Sequence, residues 1–158
     1  MIYGGMCACG PREKDAMIFD FEHGTLPGSL ELAYLGDSLY DLYVRERLIA
    51  RGGRVRALHR QAIALVCAHA QSEALARVQD RLTDAERDVV RRARNAHQTP
   101  PRNADPGEYH HATALEALIG WLYVTGQRDR MNEVLAMAVG EIGEQGIENR
   151  EQGAPAVR

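Results

Sequence analysis

Glu116 sits in the run Ala114-Leu-Glu-Ala-Leu-Ile-Gly-Trp-Leu-Tyr-Val124, where almost every neighbour is apolar. A helix that is apolar nearly all round is buried on most of its surface. An ionised carboxylate there is unfavourable unless an arginine, hydrogen bonds or a metal ion compensates it. Asp37 raises the same question in Leu32-Ala-Tyr-Leu-Gly-Asp-Ser-Leu-Tyr-Asp41. Its helical neighbours three and four residues away are Ala33, Tyr34, Tyr40 and Asp41, a partly aromatic face opposite the stripe Leu32, Leu35, Leu39 and Leu42. Gly36, just before it, lowers helix propensity by about 1 kcal/mol relative to alanine. A glycine inside a helical pattern marks the close approach of another backbone or of a ligand. Two such acids on separate helices suit a hard divalent cation, which takes carboxylate oxygens and keeps waters or phosphate oxygens in its other positions. The residues alone leave bland alternatives open: an arginine partner for Glu116, and a plain helix–helix contact at Gly36.

The charge distribution adds a second observation. From Val44 to Arg102, thirteen arginines stand against six acids (Glu46, Glu73, Asp80, Asp84, Glu86 and Asp88), a local excess of seven positive charges in a chain of formal net charge −3. Such polarity attracts polyanions, although arginines on a solvated face with intrahelical pairs such as Asp41 with Arg45 give the same pattern.

The elements that must position these residues read as helices throughout. Ser29 is a reasonable N-cap for a helix from Leu30 to about Ala50, stopped by Gly52-Gly53. A second helical stretch runs from about Val55 to Leu82, with a break near Ala70 to Ser72. Thr83 and Glu86 form a capping box that opens a helix through about Asn95. An irregular stretch from Ala96 to His110 carries Pro100-Pro101 and Pro106-Gly107, and loops of this length inside compact domains are often functional. Helices follow from Ala112 to about Val124 and from about Asp129 to Ile142. Strand-like alternation and internal repeats are absent, so the class is all-α. Residues 1–26 read as an irregular lead-in, with Met6 or Met17 as alternative starts, 27–145 as the one domain, and 146–158 as a flexible polar tail.

At 158 residues the chain can bury a substantial core. The absence of a long apolar run or a secretory signal excludes membrane roles and predicts a cytoplasmic protein. The three cysteines form no framework and read as reduced thiols. Cys7 and Cys9 with His110 and His111 match no common zinc spacing.

With these residues in view, Leu32 to Arg45 resembles the ribonuclease III motif built around Leu-Gly-Asp, and Thr113-Ala-Leu-Glu-Ala-Leu-Ile-Gly120 resembles that family's second acidic helix. Arg92-Ala-Arg-Asn-Ala96, the following Thr99-Pro100, and Tyr109 bring the likeness closer to the Mini-ribonuclease III branch, over roughly residues 29 to 142. The resemblance implies a compact helical ribonuclease III-type endonuclease domain, working as a symmetric homodimer. It implies metal-dependent cleavage of double-stranded RNA to 5′-phosphate and 3′-hydroxyl ends, with Mg2+ as cofactor and Mn2+ as a candidate substitute. Maturation of large-subunit ribosomal RNA precursors, with a ribosomal protein as a candidate partner, is the expected task.

By motif position, the resemblance makes Asp37 and Glu116 the metal-binding catalytic acids. Full ribonuclease III proteins have two more acids, where this chain holds Ala33 and Thr113; the Mini branch is similar there, which implies weak metal binding without RNA. Asp41 and Thr113 are candidates for an outer position around the metal, with an ion pair to Arg45 favoured for Asp41. Leu115, where the family often has an aromatic, reads as a core substitution. No double-stranded-RNA-binding domain is expected after the last helix, so the catalytic dimer must hold the RNA itself. A-form RNA is read mainly through phosphates and 2′-hydroxyls, and the arginine fork suits phosphate. The corner formed by Arg91, Arg92, Arg94 and Asn95, with Arg102 in the loop, is the predicted RNA contact; the resemblance supports Arg94 and Asn95, while Arg91 and Arg102 read equally well as ordinary solvated charges. A catalytically silent RNA-binding or assembly protein of the same fold is the alternative, motivated by the thin acid set and opposed by the retention of both Asp37 and Glu116.

Overall fold

In a computed structural model, residues 24–141 are described. Residues 1–23 of the expected lead-in, with Cys7 and Cys9, and residues 142–158, with the expected end of the last helix and the tail, lie outside them. Among the described residues the chain is helical, without strands: α1 (Ser29–Arg51), α2 (Val55–Val66), α3 (Ala68–Val78), a 3-10 turn (Gln79–Arg81), α4 (Asp84–Arg94), α5 (Pro106–Val124) and α6 (Arg128–Val139). None of these helices is long and apolar enough to cross a membrane.

α5 is the axle of the fold, and α1, α3, α4 and α6 all pack against it. Its sequence explains why: from Ala112 to Val124 most side chains are buried, and Leu115, Leu118, Ile119 and Leu122 are fully so. Each of these large side chains contributes roughly 1.5–3 kcal/mol by leaving water. Leu115 is therefore a core residue, as its position predicts.

α1 departs from the leucine stripe. Leu42 is exposed and Leu35 and Leu39 are half-buried, whereas Leu32, Ala33, Gly36, Tyr40, Val44 and Leu48 form the buried face. The cause is Gly36. A Cβ there would fall 1.8 Å from the Glu116 carbonyl oxygen, and one at Gly120 would fall 2.0 Å from the Leu32 carbonyl oxygen. Pairing 36 with 116 and 32 with 120 means that α1 and α5 run in opposite senses and touch backbone to backbone. Only glycine allows this approach, and it turns α1 so that residues 33, 36 and 40 face inward.

Several boundaries also shift. Ser29 is the first helical residue rather than the cap; Gly28 takes the cap position, and its N–H donates to Glu31 Oε2 at 2.7 Å. The break in the second stretch falls at Cys67, not at 70–72. The irregular stretch ends earlier than expected, because Pro106-Gly107 opens α5 instead of making a turn. Asp105 caps it by accepting from the Glu108 N–H at 2.9 Å, and Pro106 occupies the first turn, where its missing N–H costs nothing. The Thr83–Glu86 capping box forms as expected.

Candidate active site

The close contact of α1 with α5 has a chemical consequence. Asp37 follows Gly36, Glu116 contributes the carbonyl that Gly36 touches, and both side chains line one open cleft of about 430 Å³. Leu30, Ala33, Tyr34, Gln98, Tyr109 and Thr113 complete the lining. Ala33 and Thr113, the two positions where full ribonuclease III proteins have further acids, thus face the same space as the two acids that remain. Among the described residues no group of three or more His, Cys, Asp or Glu is arranged to hold a metal ion by itself.

Among the described residues one glutamate, Glu86, is buried and another, Glu116, is half-buried, and their contrast is informative. Glu86 is only 2% exposed and fully compensated: Arg130 donates from Nε to Oε1 at 2.8 Å and from Nη2 to Oε2 at 3.0 Å, and the Thr83 N–H donates to Oε2 at 2.8 Å. The Arg130 hydrogen bonds hold its carboxyl below the usual range. That acid is structural, tying α4 to α6. Glu116 has no arginine partner among the described residues, and only the Gln71 amide acts to favour its ionised form. It makes no ion pair among the described residues, and burial, reinforced by the like charge of Asp37, pushes its pKa up to about 8. Asp37 is exposed at the rim, which corrects the expectation that both acids are buried. Its pKa is still raised, by desolvation first and by Asp41 second. Among the described residues neither acid is locked against an arginine.

These residues fit a divalent cation: two hard oxygen donors, mutually repelling, in an open cleft with room for waters. Thr113 is buried, and its hydroxyl donates to the Tyr109 carbonyl at 3.0 Å and approaches Gln98 Oε1 at 3.4 Å. Asp41 is bound to Arg45 at 2.6 Å and does not line the cleft.

The loop from α4 to α5 reaches the cleft through Gln98, whose Nε2 also donates to His110 Nδ1 at 3.2 Å. This joins the arginine corner to the acids. Within that corner the arginines differ. Arg91 and Arg92 both pair with Asp88, whereas Arg94 and Arg102 form no ion pair among the described residues. The Asn95 N–H closes α4 by donating to the Arg91 carbonyl. His69 bonds Glu108 at 2.7 Å and His111 bonds the Ser72 hydroxyl at 3.1 Å, so these histidines serve as inter-helix ties.

Gln98 and the rim residues Leu30 and Tyr34 were not among the candidates drawn from sequence. Gln98 sits in a loop without periodicity, so nothing local signals its direction. Tyr34 carried a signal, since it neighbours Asp37 on one face of α1.

Comparison with known proteins points to one family. The family profile described as "Ribonuclease III domain" matches residues 30–127. A protein named "Mini-ribonuclease 3" from Symbiobacterium thermophilum is 53% identical over 116 residues, covering 72% of this chain and 88% of the relative. One of the same name from Thermoanaerobacter sp. is 38% identical over 117 residues, covering 73% and 82%. An X-ray structure of a protein from Fusobacterium nucleatum superposes with a TM-score of 0.65 at 31% identity, covering 68% of this chain and 89% of that one.

Proposed function

The chain belongs to the ribonuclease III family, in its Mini-ribonuclease III branch, and from that premise we propose that its Asp37–Glu116 cleft is the active site of a metal-dependent endoribonuclease acting on double-stranded RNA. The observation that supports this most is Glu116, half-buried beside a second carboxylate and without a cationic partner among the described residues, in a fold that pairs its buried Glu86 with Arg130. Asp37 and Glu116 would hold the metal, with Mg2+ the expected ion and Mn2+ a substitute. Such an ion supplies a Lewis acid for the scissile phosphodiester and a nucleophilic water.

The chain's own residues do the rest. Glu116 and Asp37 bring two carboxylates to a place where no cationic side chain among the described residues pairs with them, so a divalent cation is favoured there. Thr113 donates its hydroxyl to the backbone and leaves the acids as the ionic groups of the lining. Gln98 and Tyr109 offer hydrogen-bonding groups at the mouth where a sugar or phosphate passes. Arg94 and Arg102, free of acid partners among the described residues, are the better phosphate contacts in the basic corner. Arg91 and Arg92 must first share or leave Asp88, and Asn95 is kept as a weaker contact.

A homodimer belongs to the proposal, because Tyr34 is 84% exposed on the rim with Leu30 beside it, an apolar edge suited to a second copy. So do a cytoplasmic site of action and a precursor of large-subunit ribosomal RNA as the natural substrate, a ribosomal protein being the candidate that presents it. The domain is proposed to span 27–145, flanked by the lead-in and tail. The test is cleavage of a long RNA duplex with and without Mg2+, beside Asp37→Asn and Glu116→Gln. Metal-dependent cutting that both variants lose is expected; retention of the duplex without cutting would move the assignment to a silent RNA-binding protein.

A further inference from the structure

We propose that Gln71 is a positioning residue for Glu116: from α3, behind the acid, its buried carboxamide donates from Nε2 to the Glu116 carboxylate once a cation is bound, and so fixes which oxygen faces the cleft. The inference rests on the active-site reading above.

Three polar side chains are buried among the described residues: Gln71, Glu86 and Thr113. Glu86 is satisfied by Arg130 and Thr83, and Thr113 by the Tyr109 carbonyl. Gln71 is the exception. It is 2% exposed, and its Nε2 is buried without a hydrogen-bond partner among the described residues. A buried donor left unmade is costly, and each instance calls for a cause such as a missing ion or a catalytic role.

The position makes a structural explanation weak. Gln71 shares its helical stripe with Ala74, Leu75 and Val78, all buried, so an apolar residue would suit the packing. What sets the site apart is its neighbour: the Gln71 amide lies within interaction range of the Glu116 carboxyl and acts to favour its ionised form, yet no bond of normal geometry closes between them. An unpaired buried donor beside an acid that would hold a cation is placed to orient that carboxylate. Carboxylates that hold metals are commonly oriented by such hydrogen bonds.

The experiment uses full-length, RNA-free protein and follows the Gln71 side-chain amide resonances during Mg2+ titration. They are expected to shift in the wild type and to stay put in Glu116→Gln. In parallel, Gln71→Met, which keeps the volume and removes the donor, is expected to fold with a metal-free Tm equal to or above the wild type. Its half-saturating Mg2+ for cleavage rises about tenfold while KM for the duplex is unchanged. Amide resonances that ignore Mg2+ in a buffer where the wild type cuts RNA would overturn the inference, as would Gln71→Met with the wild-type Mg2+ dependence. A clearly lower metal-free Tm would also overturn it, by showing a structural role. A wild type that cuts no duplex defeats the nuclease reading instead, and the two failures are thereby distinguished.

Discussion

Replacing Glu116 by glutamine is expected to stabilise the metal-free protein at high pH and to leave it unchanged at low pH. The carboxyl has an ordinary value of 4.5 and is pushed up to about 8, by burial first and by Asp37 second. Between those values the folded state binds more protons than the unfolded one, so stability falls as pH rises through this window and levels off above it. At about 1.4 kcal/mol per unit, the full shift corresponds to an upper limit of about 5 kcal/mol. Partial solvent contact at the cleft mouth reduces the working figure to about 2–4 kcal/mol. Glutamine resembles the protonated acid and carries no such penalty. Thermal unfolding in EDTA should therefore show nearly coincident wild-type and Glu116→Gln curves at about pH 4, below the ordinary value, and a variant more stable by roughly 10 °C at about pH 9, taking about 3–5 °C per kcal/mol. Added Mg2+ should narrow the gap, because it binds only the wild-type pair and stabilises what it binds. Parallel pH profiles, or a variant less stable at about pH 9, would refute the claim that Glu116 is a half-buried acid without a cationic partner.

Gly36→Ala is expected to cost about 2–4 kcal/mol in urea unfolding and to abolish cleavage, since its methyl would meet the Glu116 carbonyl at 1.8 Å and part the two helices that hold the acids. Arg130→Met strands Glu86 in the core and is expected to cost about 3–5 kcal/mol by urea unfolding, much of it recovered when Glu86→Leu is added. Arg94→Ala is expected to weaken duplex binding and reduce the slope of log K against log salt by about one, whereas Arg91→Ala, whose side chain is already shared with Asp88, changes the slope less.

Much of this was legible in the sequence because the informative residues break local rules. Glu116 in an apolar helix and Gly36 inside a helical pattern each contradict their surroundings, and both contradictions resolve at one helix crossing. The capping box at Thr83 is a short-range signal and formed as read. The readings that failed depend on tertiary context. The leucine stripe of α1 marks only part of the buried face: Leu32 is buried and Leu35 and Leu39 pack against the core, but the glycine contact with α5, which no pattern within α1 encodes, brings Gly36, Tyr40 and Val44 inward and leaves Leu42 exposed. Pro106-Gly107 has the composition of a turn, but Asp105 before it and Glu108 after it convert it into a helix start. Gln71 was missed although it occupies an apolar position of α3; its meaning appears only when Glu116 lies in front of it. Asp88 was counted in the charge balance, but its hold on both Arg91 and Arg92 depends on side-chain directions.

The most direct measurement is the anomalous difference density of crystals grown with Mn2+. A single ion in contact with carboxylate oxygens of both Asp37 and Glu116, its other positions filled by waters, is the expected result. An ion bound elsewhere, or two carboxylates turned apart with nothing between them, would contradict the account.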